Sequence, residues 1–276
     1  MRLATIRVPG GTRAVRLDGG QAVETGHNDA GELLALPDWR ARAAAADGAR
    51  HPAASLDLAP VIPRPGKVIC VGLNYRPHIL EMGRGLPEYP TLFAKFADAL
   101  IGPRDPIQLA PESTAVDWEA ELAVVVGRAV RRADEKDASA AIAGFCVLND
   151  VTMRDWQYRT TQWLQGKSFE ATTPVGPALV TPDELPGGVR PALPLTGAVD
   201  GETVQKADTS DLLFDPVALV QYISTIMTLR PGDLIATGTP GGVGHARKPP
   251  RYLVAGMTLT TEIEGIGRLE NAVRAS

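Results

Sequence analysis

Apolar residues in this chain fall into short runs separated by glycine and proline, with few long periodic stretches. LATIRV and TRAVRL alternate apolar and polar positions on either side of PGG, which predicts a β-hairpin with one buried face. ELLALPDWRARAAAA follows, helical in composition, and Pro37 either interrupts it or starts a second helix. PVIPRPG, residues 60–66, reads as a linker, so residues 1–62 form a small N-terminal β/α module and residues 66–274 a larger domain. In that domain KVICVGLNY, TLFAKF, ELAVVVG, GFCVLNDV, GPALVT and DLIATGT are short, apolar and β-branched, as buried strands are. Helices are expected over Glu135–Gly144 and Asp215–Leu229. The second has a broad apolar face of Val217, Leu219, Val220, Ile223, Ile226 and Met227. Strands do not alternate regularly with long helices, so neither a doubly wound sheet nor a (β/α)₈ barrel is supported. The predicted class is mainly β with few helices (α+β).

Composition narrows the function. With 276 residues, 44% hydrophobic and 22% charged, the chain can bury a large core without a disulfide or structural metal. Its net charge of −4 gives no basic face for nucleic acid. No apolar run approaches the roughly 20 residues that cross a bilayer, and MRLATIRVPGG has no apolar leader core, so no membrane partner is expected. Cys70 and Cys146 sit in apolar strings without zinc-ligand spacing, and are expected to be buried thiols in a reducing cytoplasm.

The chemistry-bearing residues cluster by type. In VDWEAELAVVVG, Glu119 and Glu121 stand two apart on a strand and therefore share a face. Two like charges there repel. They either line a solvated edge or bind a divalent cation through oxygen. Asp150, ending GFCVLND, is either a third ligand or a helix N-cap or Asx-turn before TMRDWQ. Lys167, in QGKSFE, is either a surface charge or an electrophilic partner for a bound carboxylate or enolate. His78 and Glu81, spaced i, i+3 in NYRPHILEMG, are either a surface pair or a carboxylate-positioned general base. The glycines and prolines around them suit a mobile lid over residues 76–90. ATGTPGGVG lacks the Lys-Ser/Thr of a P-loop. It is either a plain turn or an anion-binding concavity with hydroxyl donors from Thr237 and Thr239.

Taken together and in this order, VGLNYRPHILEMG, TLFAKFADALIGP, DWEAELAVVVG, NDVTMRDWQ, QGKSFEATTPVGPALVT and PGDLIATGTPGGVG resemble the fumarylacetoacetate hydrolase family over residues 68–273. The resemblance implies a mixed β-sandwich or roll. It implies Mg²⁺ or Mn²⁺ on Glu119, Glu121 and Asp150, a His78–Glu81 dyad that activates water, and Lys167 at the metal-bound end of the substrate. Arg154, Gln157, Tyr158 and Thr239 are the implied substrate-binding residues, and a homodimer the implied assembly. The implied reaction is hydrolysis of a C–C bond in a 2,4-dioxo acid, an acylpyruvate, through a pyruvate enolate. Members of the family also isomerise 2-hydroxy-diene diacids or decarboxylate oxaloacetate. Arg76 and Arg84, like Tyr158, either meet the distal end of the substrate or lie on the surface.

Overall fold

The first hairpin forms where the alternation predicts it. Strands β1 (Arg2–Val8) and β2 (Gly11–Asp18) pair antiparallel, and β3 (Gln21–Glu24) and β4 (Arg50–Pro52) extend them. The structure is a computed structural model and describes residues 1–81 and 85–276, without the side chains of His78 and Glu81. The alanine-rich segment is two helices, α1 (Ala30–Leu34) and α2 (Trp39–Ala44), broken around Pro37.

The larger part of the chain begins with β5 (Val68–Gly72), α3 (Arg76–Glu81), β6 (Thr91–Lys95), β7 (Leu100–Ile101), β8 (Ile107–Leu109), β9 (Val116–Asp117) and β10 (Ala120–Val126). Next come α4 (Glu135–Ala141), β11 (Ile142–Asn149), β12 (Thr152–Met153), α5 (Arg154–Gln157), α6 (Leu164–Lys167) and β13 (Thr173–Val180). The chain closes with β14 (Pro194–Val199), β15 (Glu202–Asp208), α7 (Pro216–Ile226), β16 (Leu234–Ala236), β17 (Thr258–Ile263) and β18 (Gly267–Ala275).

Among the described residues an 11-stranded mixed sheet runs β4-β3-β2-β1-β13-β11-β10-β16-β5-β6, with β7 beside β13. The N-terminal strands thus continue the main sheet through the β1–β13 pair. The proline-rich segment joining them is packed, with Val61 and Ile62 in the core and the Val61 carbonyl accepting from the Thr5 hydroxyl at 2.9 Å. A second, 5-stranded sheet runs β15-β14-β17-β18-β8. Its strands show half-buried alternation too polar to stand out in the sequence.

The two central strands explain the sandwich. Every residue of β10 and β11 is buried. Leu122, Val124, Phe145 and Val147 point into one core, which they share with Leu195 and Ile263 of the second sheet and with α7. Ala123, Val125, Cys146 and Leu148 point into the opposite core, with α1 and α2. Two apolar faces per strand leave room for polar residues only at the strand ends, and the site forms there.

The helix expected over residues 135–144 stops at Ala141. Ile142 onward is taken by β11, whose long-range pairing with β10 outweighs local propensity. The helix expected over residues 215–229 runs from Pro216 to Ile226. Asp215 caps it by accepting the Val217 and Ala218 amides, and Leu229 pairs with Val130 instead of extending it.

Candidate metal centre and active pocket

Strand register builds the carboxylate cluster. Ala120 lies opposite Asn149, and the Asp150 amide donates to the Glu119 carbonyl at 2.9 Å. This places the start of β10 beside the end of β11. Glu119 immediately precedes β10, Glu121 lies within it, and Asp150 follows β11. One ligand oxygen from each lies within 4.8 Å of the others, and all three side chains are buried. The Asn149 amide oxygen accepts the Glu119 N–H at 2.9 Å, and the Gly238 N–H donates to Glu121 Oε2 at 2.8 Å. Asp150 is no helix cap, because Met153 holds that position before α5.

Three cations face the cluster. Lys167 Nζ bridges Glu119 Oε2 at 2.7 Å and Asp150 Oδ2 at 2.8 Å, and lies 4.9 Å from the centre of the Phe93 ring. It is a buried residue, not a surface charge. Lys95 Nζ donates to Asp150 Oδ1 at 2.7 Å and to the Val151 carbonyl. Arg154 binds Asp117 Oδ2 and Glu119 Oε1, each at 2.7 Å, and donates to Gln157 Oε1 at 2.9 Å.

Burial opposes the charge on Lys167, but Asp150 and Glu119 outweigh it and hold its pKa above the ordinary lysine value. Arg154 is raised in the same way by Glu119 and Asp117 against burial. Burial would raise the Asp150 carboxyl, yet Lys167 and Lys95 bring it below the usual value. Glu121 goes the other way. Burial first, then the charges of Asp150 and Glu119, push its carboxyl well up. Among the described residues no basic side chain pairs with Glu121, so its carboxylate is the one member of the three without an ion-pair partner. The donor set of three hard oxygens suits a divalent Mg²⁺ or Mn²⁺, and the residues present fit such an ion.

Glu119, Glu121 and Lys167 line a cavity of about 230 Å³. Arg154, Gln157 and Thr239 stand in its wall, Phe93 and Trp163 narrow it, and Tyr158 and His245 lie at its exposed rim. Thr239 donates its hydroxyl to the Ala120 carbonyl and accepts from Gln205 Nε2, so it faces a ligand as an acceptor only. Thr237 likewise donates to the Leu122 carbonyl. The amides of the glycine-rich segment do bind anions, but the anions are the chain's own carboxylates: Gly238 holds Glu121, while Gly244 and His245 hold Asp117. Arg76 is exposed and donates to the Leu213 carbonyl. The side chains of His78 and Glu81, and Arg84 entirely, lie outside the described residues.

Residues 67–274 match the fumarylacetoacetate hydrolase C-terminal family. The chain belongs to that family. The rat (Rattus norvegicus) mitochondrial oxaloacetate tautomerase Fahd2a is 46% identical over 217 residues, covering 78% of this chain and 68% of that protein. A solved fumarylacetoacetate hydrolase from Exiguobacterium antarcticum superposes with a TM-score of 0.89 at 33% identity, and covers 100% of both chains. A 5-carboxymethyl-2-hydroxymuconate delta-isomerase from Mycobacterium smegmatis superposes with a TM-score of 0.82 at 34% identity, again covering 100% of both.

Three residues of this fumarylacetoacetate hydrolase family site escape a reading of the sequence alone. Lys95 is the one charge in the apolar run TLFAKF, and that is a usable signal, since a lysine on a buried strand needs a buried partner. Asp117, fully buried, gathers Arg154 and three backbone amides but lies among acidic residues that hide it. His245 follows the glycine-rich turn, and only the folded loop brings it to the pocket.

Proposed function

We propose that this chain is a divalent-metal enzyme that forms the enolate of a 2-oxo acid, with keto–enol tautomerisation of oxaloacetate-type diacids as its reaction. The observation that carries this reading is the convergence of Glu119, Glu121 and Asp150, two of them bridged by the Lys167 ammonium, beside a cavity that Glu119, Glu121 and Lys167 line. The identity to an oxaloacetate tautomerase supports the choice of reaction. A Mg²⁺ or Mn²⁺ held by the three carboxylates supplies Lewis acidity toward the carboxylate and ketone oxygens of the substrate.

The chain's own groups divide the remaining work. Lys167 Nζ, hydrogen-bonded to Glu119 and Asp150, is placed to stabilise negative charge developing on the substrate oxygen. Arg154, fixed by Asp117 and Glu119, orients the substrate carboxylate together with the Gln157 amide. Phe93 and Trp163 exclude water from the base of the cavity. The proposed base is His78, which α3 carries one turn from Glu81.

That same spacing favours a second reading, hydrolysis of an acylpyruvate by water that His78 activates. The enol absorbance of oxaloacetate, followed with Mg²⁺ and with EDTA, tests the first reading. Metal-dependent acceleration is expected, and its absence would falsify it. Acetylpyruvate cleavage that falls about 10²–10⁴-fold in His78→Ala would instead establish the hydrolase. The buried free thiols of Cys70 and Cys146 favour a reducing compartment.

A further inference from the structure

One side chain of the second sheet reaches the site from behind. Gln205 lies on β15, is only 2% exposed and does not line the cavity. Its Oε1 accepts the Ala120 N–H at 2.9 Å. Its Nε2 donates to Thr239 Oγ1 at 2.8 Å and to the Pro240 carbonyl at 3.0 Å. Burying an amide this deeply is costly unless its polar atoms are bonded, and both of these are.

Ala120 is the residue between Glu119 and Glu121, and its carbonyl belongs to the same ring of bonds. Thr239 Oγ1 donates to that carbonyl at 3.0 Å. Gln205 and Thr239 therefore hold both backbone polar groups of Ala120, and they hold each other. Gly197, the partner of Gln205 on β14, leaves space for this approach, since a Cβ there would lie 3.1 Å from Gln205 Oε1. The two ends of the amide meet different parts of the site. The oxygen meets the strand that carries Glu119 and Glu121, and the nitrogen meets the hydroxyl that stands in the cavity wall.

We propose that Gln205 is a positioning residue with two separable tasks: Oε1 holds the backbone between Glu119 and Glu121 for the cation, and Nε2 holds the Thr239 side chain for the ligand. This deepens the proposed function and rests on it for the cation and for the end of the substrate that meets Thr239. Without Oε1 the buried Ala120 N–H is left unpaired, and the strand must shift to satisfy it. Without Nε2 the Thr239 hydroxyl loses one of the two bonds that fix its direction.

The test reads two affinities on folded protein. Mn²⁺ binding is followed by electron paramagnetic resonance. Oxalate, which carries the carboxylate and adjacent oxygen of a 2-oxo acid, is titrated calorimetrically at saturating Mn²⁺. Gln205→Met removes both ends of the amide and should weaken each affinity about tenfold. Gln205→Glu keeps an acceptor for Ala120 and should restore Mn²⁺ binding while oxalate stays weak. In a Thr239→Val background either change should cost oxalate nothing further, whereas Gln205→Met should still weaken Mn²⁺. A merely structural glutamine would lower Tm and leave both affinities of the folded protein unchanged, and that result overturns the proposal. Loss of Mn²⁺ binding in Gln205→Glu, or an oxalate loss that persists beside Thr239→Val, also overturns it. If Gln205→Met does not fold, Gln205→Glu and its combination with Thr239→Val decide the matter. Oxaloacetate tautomerisation is measured on the same wild-type preparation. Its absence beside the expected affinities refutes the tautomerase reading and leaves the Gln205 assignment standing.

Discussion

Lys167 and Asp117 play opposite electrostatic parts in the same cluster. Lys167 is a cation that two carboxylates keep charged despite burial. Asp117 is an anion whose oxygens are all engaged, by Arg154 and by the amides of Trp118, Gly244 and His245. Asn at position 117 would put an NH₂ against donors and leave the buried Arg154 with one fewer carboxylate. Asp117→Asn should therefore destabilise the protein by about 3–5 kcal/mol, read from urea unfolding. A loss under about 1 kcal/mol would mean that Arg154 finds adequate compensation in Glu119. The sequence names the ligand-type residues well, because a carboxylate or lysine beside apolar runs is conspicuous. It cannot name Asp117, whose partners lie up to 128 positions away.

The turn after β16 acts as a unit. Gly238 has φ +102° and donates its amide to Glu121, and a Cβ there would lie 2.9 Å from both the Asn74 Cβ and the Val71 carbonyl. Gly238→Ala should cost about 1–2 kcal/mol and displace the Glu121 carboxylate. The measurable result is weaker Mn²⁺ binding by electron paramagnetic resonance. An unchanged affinity would separate the turn from the cluster. Hairpin β1–β2, the break at Pro37 and the Asp215 cap are legible because their signals are local: alternation, a missing N–H, a side-chain acceptor. The end of α4 is not, since Ile142–Gly144 suit a helix by composition and become strand only because β10 is there to pair with them.

At the scale of the molecule, a cation that binds only the folded cluster must stabilise the fold by mass action. At a Mn²⁺ concentration about 100 times Kd the gain is about 2.7 kcal/mol, so Mn²⁺ should raise Tm and EDTA should reverse the rise. Glu119→Ala should abolish the response. A Tm insensitive to Mn²⁺ in wild type would remove the metal assignment. For assembly, Tyr222 and Ile226 stand i, i+4 on α7, with Met227 exposed beside them and the Tyr89 ring 6.3 Å from that of Tyr222. This apolar face is proposed as the homodimer contact. Light scattering should find a dimer for wild type and a monomer for Ile226→Asp, and a wild-type monomer would refute the assignment.

The sequence by itself determined the β-rich class and the central buried strands, and marked the three carboxylates and Lys167 as candidates that only the family resemblance joined into one site. Each is written in local hydrophobic pattern or in a charged residue set against it. The second sheet, the continuity of the N-terminal strands with the main sheet, and the company kept by Lys95, Asp117 and His245 were decided only by tertiary structure. Those features depend on which strands pair and in what register. Pairing energy comes from contacts between residues far apart in the chain, which no local window contains.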